Sequence, residues 1–120
     1  MTDLGSLGTD PCSRALMANS RGQIIGTTIA ICGQLETHAF LWENGGPMAD
    51  LNSLSAAAAS GVNLFEADNI NERGEIVASG LPAGCTDRFS CQHLFLLIPC
   101  DEDHPDVEGC DYSPTDFRRP

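Results

Sequence analysis

The seven residues M-T-D-L-G-S-L at positions 1–7 return as M-A-D-L-N-S-L at 48–54. N-S-R-G-Q-I-I-G-T at 19–27 returns as N-E-R-G-E-I-V-A-S at 71–79, and H-A-F-L-W at 38–42 returns as H-L-F-L-L at 93–97. Three blocks repeated in one order describe a duplicated unit. The offsets are 47, 52 and 55, so the second copy carries two insertions. One falls in S-A-A-A-A-S-G-V at 55–62, the other between the glycine-containing strand and the histidine strand. A period of about 50 residues is the signature of a stacked repeat architecture, propeller or solenoid, whose units bury their apolar faces against each other. The chain of 120 residues divides into two such repeats, 1–47 and 48–98, forming one domain, followed by an acidic, cysteine-closed loop and tail at 99–120.

Within a unit the pattern is short strands joined by turns. Residues 13–18 read as a strand, and residues 19–22 (N-S-R-G) as a turn in which Gly22 is free to take positive φ. Residues 23–29 are β-branched and strand-like. Residues 37–42 form a third strand, 43–46 (E-N-G-G) a turn, and 48–51 a fourth strand. The second unit repeats this from Asn63, with Asn71 and Gly74 at the turn and strands over 75–79 and 92–98. Pro99 and Cys100 divert the chain before a fourth strand. The helix candidate at 55–60 is too short to be stable alone, which favours a turn or loop there. The expected fold is all-β, with antiparallel, four-stranded, propeller-blade-like units, about two blades, and long disulfide-pinned loops.

Six cysteines, at 12, 32, 85, 91, 100 and 110, form an even set in a small acidic chain, which favours disulfides and an oxidising compartment. A zinc site would need tight C-x-x-C pairs, and there are none. Spacing pairs Cys85 with Cys91 and Cys100 with Cys110, leaving Cys12 and Cys32 to close the first hairpin. The net charge of −11 repels phosphate backbones, so nucleic acid is not an expected partner. No stretch resembles a membrane span, and M-T-D-L-G-S-L-G has neither the basic nor the apolar region of a signal peptide. If the protein is exported, its signal lies outside this chain or was removed.

His38 and His93 head matched strands. Two histidines invite a metal pair or a general base, but a group that recurs in each unit fits a strand-start residue whose ring bonds neighbouring backbone. Asn19, Asn71, Gly22 and Gly74 recur in the same way as structural turn residues. The acidic run at 100–116 concentrates Asp101, Asp103, Asp106 and Glu108 with His104. Hard oxygen donors at that density suit Ca²⁺, although Pro105 and the missing D-x-[DN]-x-[DN]-G depart from the EF-hand pattern. A solvated acidic loop is the plainer reading, and His104 with carboxylates could hold a transition metal. No cofactor is required by any of these patterns. No G-x-S-x-G occurs, carboxylate pairs of glycosidase type depend on the fold, and Trp42, matched by Leu97, reads as core.

On these blocks the chain resembles the bacterial HAF repeat family of predicted extracellular proteins. The family's unit combines a histidine-alanine-phenylalanine strand, a glycine turn, D-L-G-x-L-G and I-N-x-x-G-x-[IV]-[IV]-G. Here these are residues 38–42, 44–46, 3–8 and 19–26. The second copy departs with Leu94 for alanine, Asn52 for glycine and Ala78 where the first has Gly26. The resemblance spans roughly residues 1–98 and implies a secreted or cell-surface, propeller-like β-repeat with no catalytic residues to carry over. The expected function is a non-catalytic extracellular module, a scaffold or binding surface of unknown ligand. The rival is a small secreted hydrolase or metal-dependent enzyme using histidine and carboxylates between the repeats. Two repeats leave exposed strand edges, which points to a homo-oligomer.

Overall fold

The computed structural model describes residues 1, 3–7, 10–43, 45–54, 60–100 and 111. Among the described residues, seven strands form two open antiparallel sheets. The first has the order β1-β2-β3-β4, with β1 Cys12–Ala18, β2 Gln23–Ile29, β3 His38–Glu43 and β4 Ala49–Asp50. The second has the order β5-β6-β7, with β5 Asn63–Ile70, β6 Ile76–Leu81 and β7 His93–Leu97. A 3-10 turn, Leu51–Ser53, leads out of the first sheet. The other helical element described is a four-residue helix, α1 Arg88–Cys91, capped by the Asp87 side chain and not anticipated from the sequence. The helix candidate at 55–60 falls largely outside the described residues. Among the described residues, no helix is long and apolar enough to cross a membrane.

The two sheets are built on one register. In the first, Ile24 pairs with Trp42, Ile25 with Leu41, Gly26 with Phe40, Thr27 with Ala39 and Thr28 with His38. In the second, Ile76 pairs with Leu97, Val77 with Leu96, Ala78 with Phe95, Ser79 with Leu94 and Gly80 with His93. Each second-sheet pair is the first-sheet pair moved by 52 residues on one strand and 55 on the other. The additional three residues lie in the connection, which runs over 82–92 in the second repeat and 30–37 in the first. Even a β-bulge is kept, between Ala15 and Met17 in β1 and between Ala67 and Asn69 in β5. A second bulge, between Leu64 and Glu66, belongs to β5.

The turns repeat to the atom. Asn19 Oδ1 accepts from the backbone N–H groups of Arg21 and Gln23, and its Nδ2 donates to Gln23 Oε1 at 2.8 Å. Asn71 does the same with Arg73, Glu75 and Glu75 Oε1 at 2.7 Å. Gly22 and Gly74 follow at φ 79° and 77°, a region that a side chain would strain. The D-L blocks also match, because Asp3 accepts from the Gly5 N–H and Asp50 from the Asn52 N–H.

One apolar core joins the sheets. Ile25, Ala39 and Leu41 of the first meet Leu64, Ala67, Ile70, Ile76, Ala78 and Leu97 of the second, with Leu51 and Leu54 wedged beside them. Side chains alternate along a strand, so residues 25, 27, 39 and 41 form one face of the first sheet, here called its front. Residues 24, 26, 28, 38, 40 and 42 form its back. On the second sheet the front is 77, 79, 94 and 96, and the back is 76, 78, 80, 93, 95 and 97. The front of the first sheet therefore packs on the back of the second. Thr27 reaches across, its hydroxyl donating to the Phe65 carbonyl at 2.6 Å. On the back of the first sheet, a Cβ on Gly26 would collide with the Arg14 carbonyl oxygen and stand 2.9 Å from the Phe40 ring. Glycine there lets β1 and Phe40 close over the strand.

Cys12–Cys32 and Cys85–Cys91 are disulfides, with Cα–Cα distances of 5.5 and 6.2 Å. The first ties the 30–37 connection to the start of β1, and the second closes the matched 82–92 connection around α1. Cys100 is disulfide-bonded as well, while Cys110 lies outside the described residues. Closing loops of these lengths contributes about 2–3 kcal/mol each, a large share of a small domain's stability. Reduction with dithiothreitol is expected to lower the Tm by more than about 10 °C in a thermal melt. An unchanged melt would show that the bonds carry no stability.

Candidate functional site

His38 opens β3 directly across from Thr28 on β2. Asp10 is turned toward this pair by its own backbone N–H, which donates to the Leu7 carbonyl at 2.7 Å. Two residues later the Cys12–Cys32 bond anchors the chain. Asp10 is only 2% exposed. Its Oδ2 lies 2.7 Å from His38 Nδ1 and accepts from the Thr28 hydroxyl, also at 2.7 Å. Burial pushes the Asp10 carboxyl up. The hydrogen bonds from His38 and Thr28, with the electrostatic attraction of His38, outweigh this and hold it below the ordinary carboxylate range. The far ring nitrogen, Nε2, stands 3.9 Å from Asp50 Oδ2.

A histidine oriented by a buried carboxylate is half of a general-base constellation. The hydroxyl in this group, Thr28, donates to Asp10 and not to the imidazole. What the arrangement does for the fold is direct: it pins the chain at Asp10 to the back of the first sheet through a buried carboxylate with two donors. The His38 ring thus bonds a carboxylate, where a backbone group was expected.

The matched position in the second repeat has lost this chemistry. Gly80 stands for Thr28 and Val62 for Asp10, and among the described residues no carboxylate holds the exposed His93, whose ring lies 6.3 Å from that of Phe95. Leu54, Val62, Leu64, Phe95 and Leu97, the counterparts of Leu7, Asp10, Cys12, Phe40 and Trp42, line an apolar cavity of about 290 Å³ that Asp111 borders. Trp42 itself is half-buried on the back of the first sheet.

A second polar cluster bridges the sheets. Arg14 Nη2 of β1 bonds Glu36 at 2.7 Å and stands 3.6 Å from Glu66 of β5. Arg88 of α1 lies 3.9 Å above the Phe65 ring and bonds Glu36 at 3.2 Å. Glu36 is held below its usual range by its own backbone N–H and by the two guanidinium groups, against the pull of burial. Glu66 moves the other way, pushed up to about 7 by its hydrogen bond to Asp68, by burial, and by the charges of Asp68 and Glu36, which Arg14 only partly offsets. The Ser79 hydroxyl donates to Asp68 at 2.6 Å.

The turns meet as well. Asn19 Nδ2 donates to the Asn71 carbonyl at 2.9 Å, the Ser20 N–H and hydroxyl bond the Glu72 carboxylate, and Arg21 reaches the Glu72 carbonyl at 3.3 Å.

Among the described residues, no group of three histidine, cysteine or carboxylate side chains is placed to hold a metal ion. Asp101, Asp103, His104, Asp106, Glu108 and Cys110 lie outside the described residues. Asp10, Thr28, Arg14, Glu36, Glu66, Asp68 and Arg88 were not anticipated from the sequence as members of any site. Two signals were present. Arg14 and Glu66 have opposite charges at matched positions, and Asp10 precedes a proline and a disulfide cysteine. The chain matches no family model, and neither a curated protein nor a solved structure is significantly similar to it.

The raised Glu66 carries a pH signature. The folded chain holds this proton more tightly than an unfolded chain, where glutamate titrates near 4.5. Between pH 4.5 and about 7 the folded state therefore binds more protons, and its stability falls as pH rises. Glu66→Gln removes that slope. Melting curves across this range should show the variant gaining steadily on the wild type, then keeping a constant lead above it. Parallel profiles would place the proton elsewhere.

Proposed function

We propose that the chain is a non-catalytic, extracellular β-repeat module of the HAF type, a scaffold or binding surface built from two propeller-blade-like units that self-associates. The observation that carries this reading is the reuse of one register, one bulge and one asparagine turn in both repeats, with the polar side chains between them engaged in holding sheet to sheet. The D-L, N-x-R-G and H-x-F blocks support the family assignment, and the two disulfides support an oxidising compartment. The apolar cavity beside Phe95 suits a small apolar group, at the lower end of the usual size for ligand pockets.

One observation favours the rival, a metal-dependent enzyme or hydrolase: His38 is oriented by a buried aspartate. The same experiment addresses both. In the scaffold reading, Asp10→Ala and His38→Ala each cost about 1–3 kcal/mol of stability, and the purified protein carries no stoichiometric transition metal by elemental analysis. A metal bound one per chain and lost from either variant would overturn that reading. Calcium at the carboxylates of residues 101–108 belongs to the same module reading. Excess EDTA should then lower the Tm, and an unshifted melt removes the ion.

A further inference from the structure

The two sheets stack front to back, so the pair has two unequal ends. Equivalent residues show this in their exposure. On the front faces, Ala39 and Leu41 of the first sheet are buried at 0% and 1%, while their counterparts Leu94 and Leu96 are 70% and 56% exposed. On the back faces the order reverses. Ala67, Ile70, Ile76 and Leu97 of the second sheet are buried, while Ala15 and Ala18 are exposed and Ile24 and Trp42 are half-exposed. The wedge leucines follow the same rule, since Leu51 and Leu54 are buried and Leu4 and Leu7 are half-exposed. Phe40, folded across Gly26, is already covered.

We infer that a second copy of this chain docks head-to-tail, seating the back of its first sheet on the exposed front of the second sheet around Leu94 and Leu96. The inference rests on the repeat reading above and adds the surface, its polarity and its occupant. Three observations select that occupant. The docking reuses the interface that already joins the two sheets, with one chain's Leu4 and Leu7 in the places of Leu51 and Leu54. The charges agree: inside the chain Arg14 faces its own counterpart Glu66 at 3.6 Å, and the same step sets the incoming Arg14 against Glu66. The exposed set on one end is the matched partner of the exposed set on the other, as a heterologous interface requires.

The test is solution mass by light scattering and sedimentation, with two variants at positions exposed in the single chain. Leu94→Asp/Leu96→Asp damages the front end, and Ala15→Arg/Ala18→Arg damages the back end; circular dichroism checks that both keep the β fold. The wild type is expected to run as two or more chains, as a closed ring or a growing series. Each variant alone should fall to one chain, and an equimolar mixture should recover a complex of two, because each variant retains the half that the other lacks. A wild type that stays a single chain up to its solubility limit would falsify the proposal, and the face would then belong to a further repeat or another protein. Association lost only with Leu94→Asp/Leu96→Asp, and untouched by Ala15→Arg/Ala18→Arg, would mean a symmetric face-to-face pair and equally overturn head-to-tail docking. A single-chain wild type would also remove self-association from the proposed function, but neither result bears on metal content or on the stability cost of the Asp10 and His38 variants, so the non-catalytic scaffold reading stands or falls separately.

Discussion

Burial of β5 against the first sheet is the contact on which the rest of the molecule depends. The back of the three-stranded sheet is apolar, and an apolar sheet face must be buried against a second layer. Here Leu64, Ala67 and Ile70 of β5, with Ile76, Ala78 and Leu97 behind them, are covered by Ile25, Ala39 and Leu41. Burying an aliphatic side chain of this size contributes about 1.5–3 kcal/mol, so this seam holds most of what the small core can supply. The hydrogen bond from Thr27 to the Phe65 carbonyl, the Asn19–Asn71 contact and the Arg14–Glu36–Arg88 cluster edge the seam with polar groups. They select one relative placement of the sheets where apolar packing alone would tolerate several.

The repeat was the part of the fold most legible in the sequence, because block spacing transfers directly into strand register. The offsets 52 and 55 in the sequence become cross-strand pairs, and the N-x-R-G blocks become two turns of the same hydrogen-bond pattern. Two disulfides were readable from spacing for the same local reason, since Cys91 follows Cys85 by six positions and a hairpin brings Cys12 to Cys32. Strands β1 and β5 were harder to match. R-A-L-M-A and E-A-D-N-I share little composition, and their equivalence, down to the bulge, shows only in the backbone. Their environments explain the divergence: β1 is an exposed edge, and β5 is buried beneath the neighbouring sheet. Helix α1 was invisible to periodicity because four residues carry none. It is held by the Asp87 cap and the Cys85–Cys91 closure.

The polar sites were not legible, and the reason is general to duplicated chains. Repetition marks what the unit needs in order to fold, so it directs attention to His38 and His93 as one class. Their surroundings come from residues that do not repeat. Asp10 and Thr28 surround the first ring, while Val62 and Gly80 occupy the same places in the second repeat. Replacing a buried carboxylate and its donor by valine and glycine is a coherent change, because leaving either partner alone would strand an unpaired polar group. The outcome is one polar staple and one apolar cavity at equivalent positions.

Opposite charges at matched positions carry information of a different kind. In a chain whose units stack by a constant step, a residue lies near its own counterpart in the next unit. Like charges at such a position would repel along the whole stack, and alternating charges attract at each step. Arg14 and Glu66 obey this, and so do Ser20 and Glu72, donor beside acceptor at matched places in the two turns. The rule needs only the two copies laid side by side, since positions that exchange donor for acceptor are candidates for contact across the joint. A front-to-back joint can repeat the same pairing at every step, whereas a two-fold face-to-face joint is self-complementary and closes after one pair. The Arg14–Glu66 contact is one such pair across the joint, and the front-to-back lay of the two sheets is given by the core itself, where Ile25, Ala39 and Leu41 meet Ile76, Ala78 and Leu97.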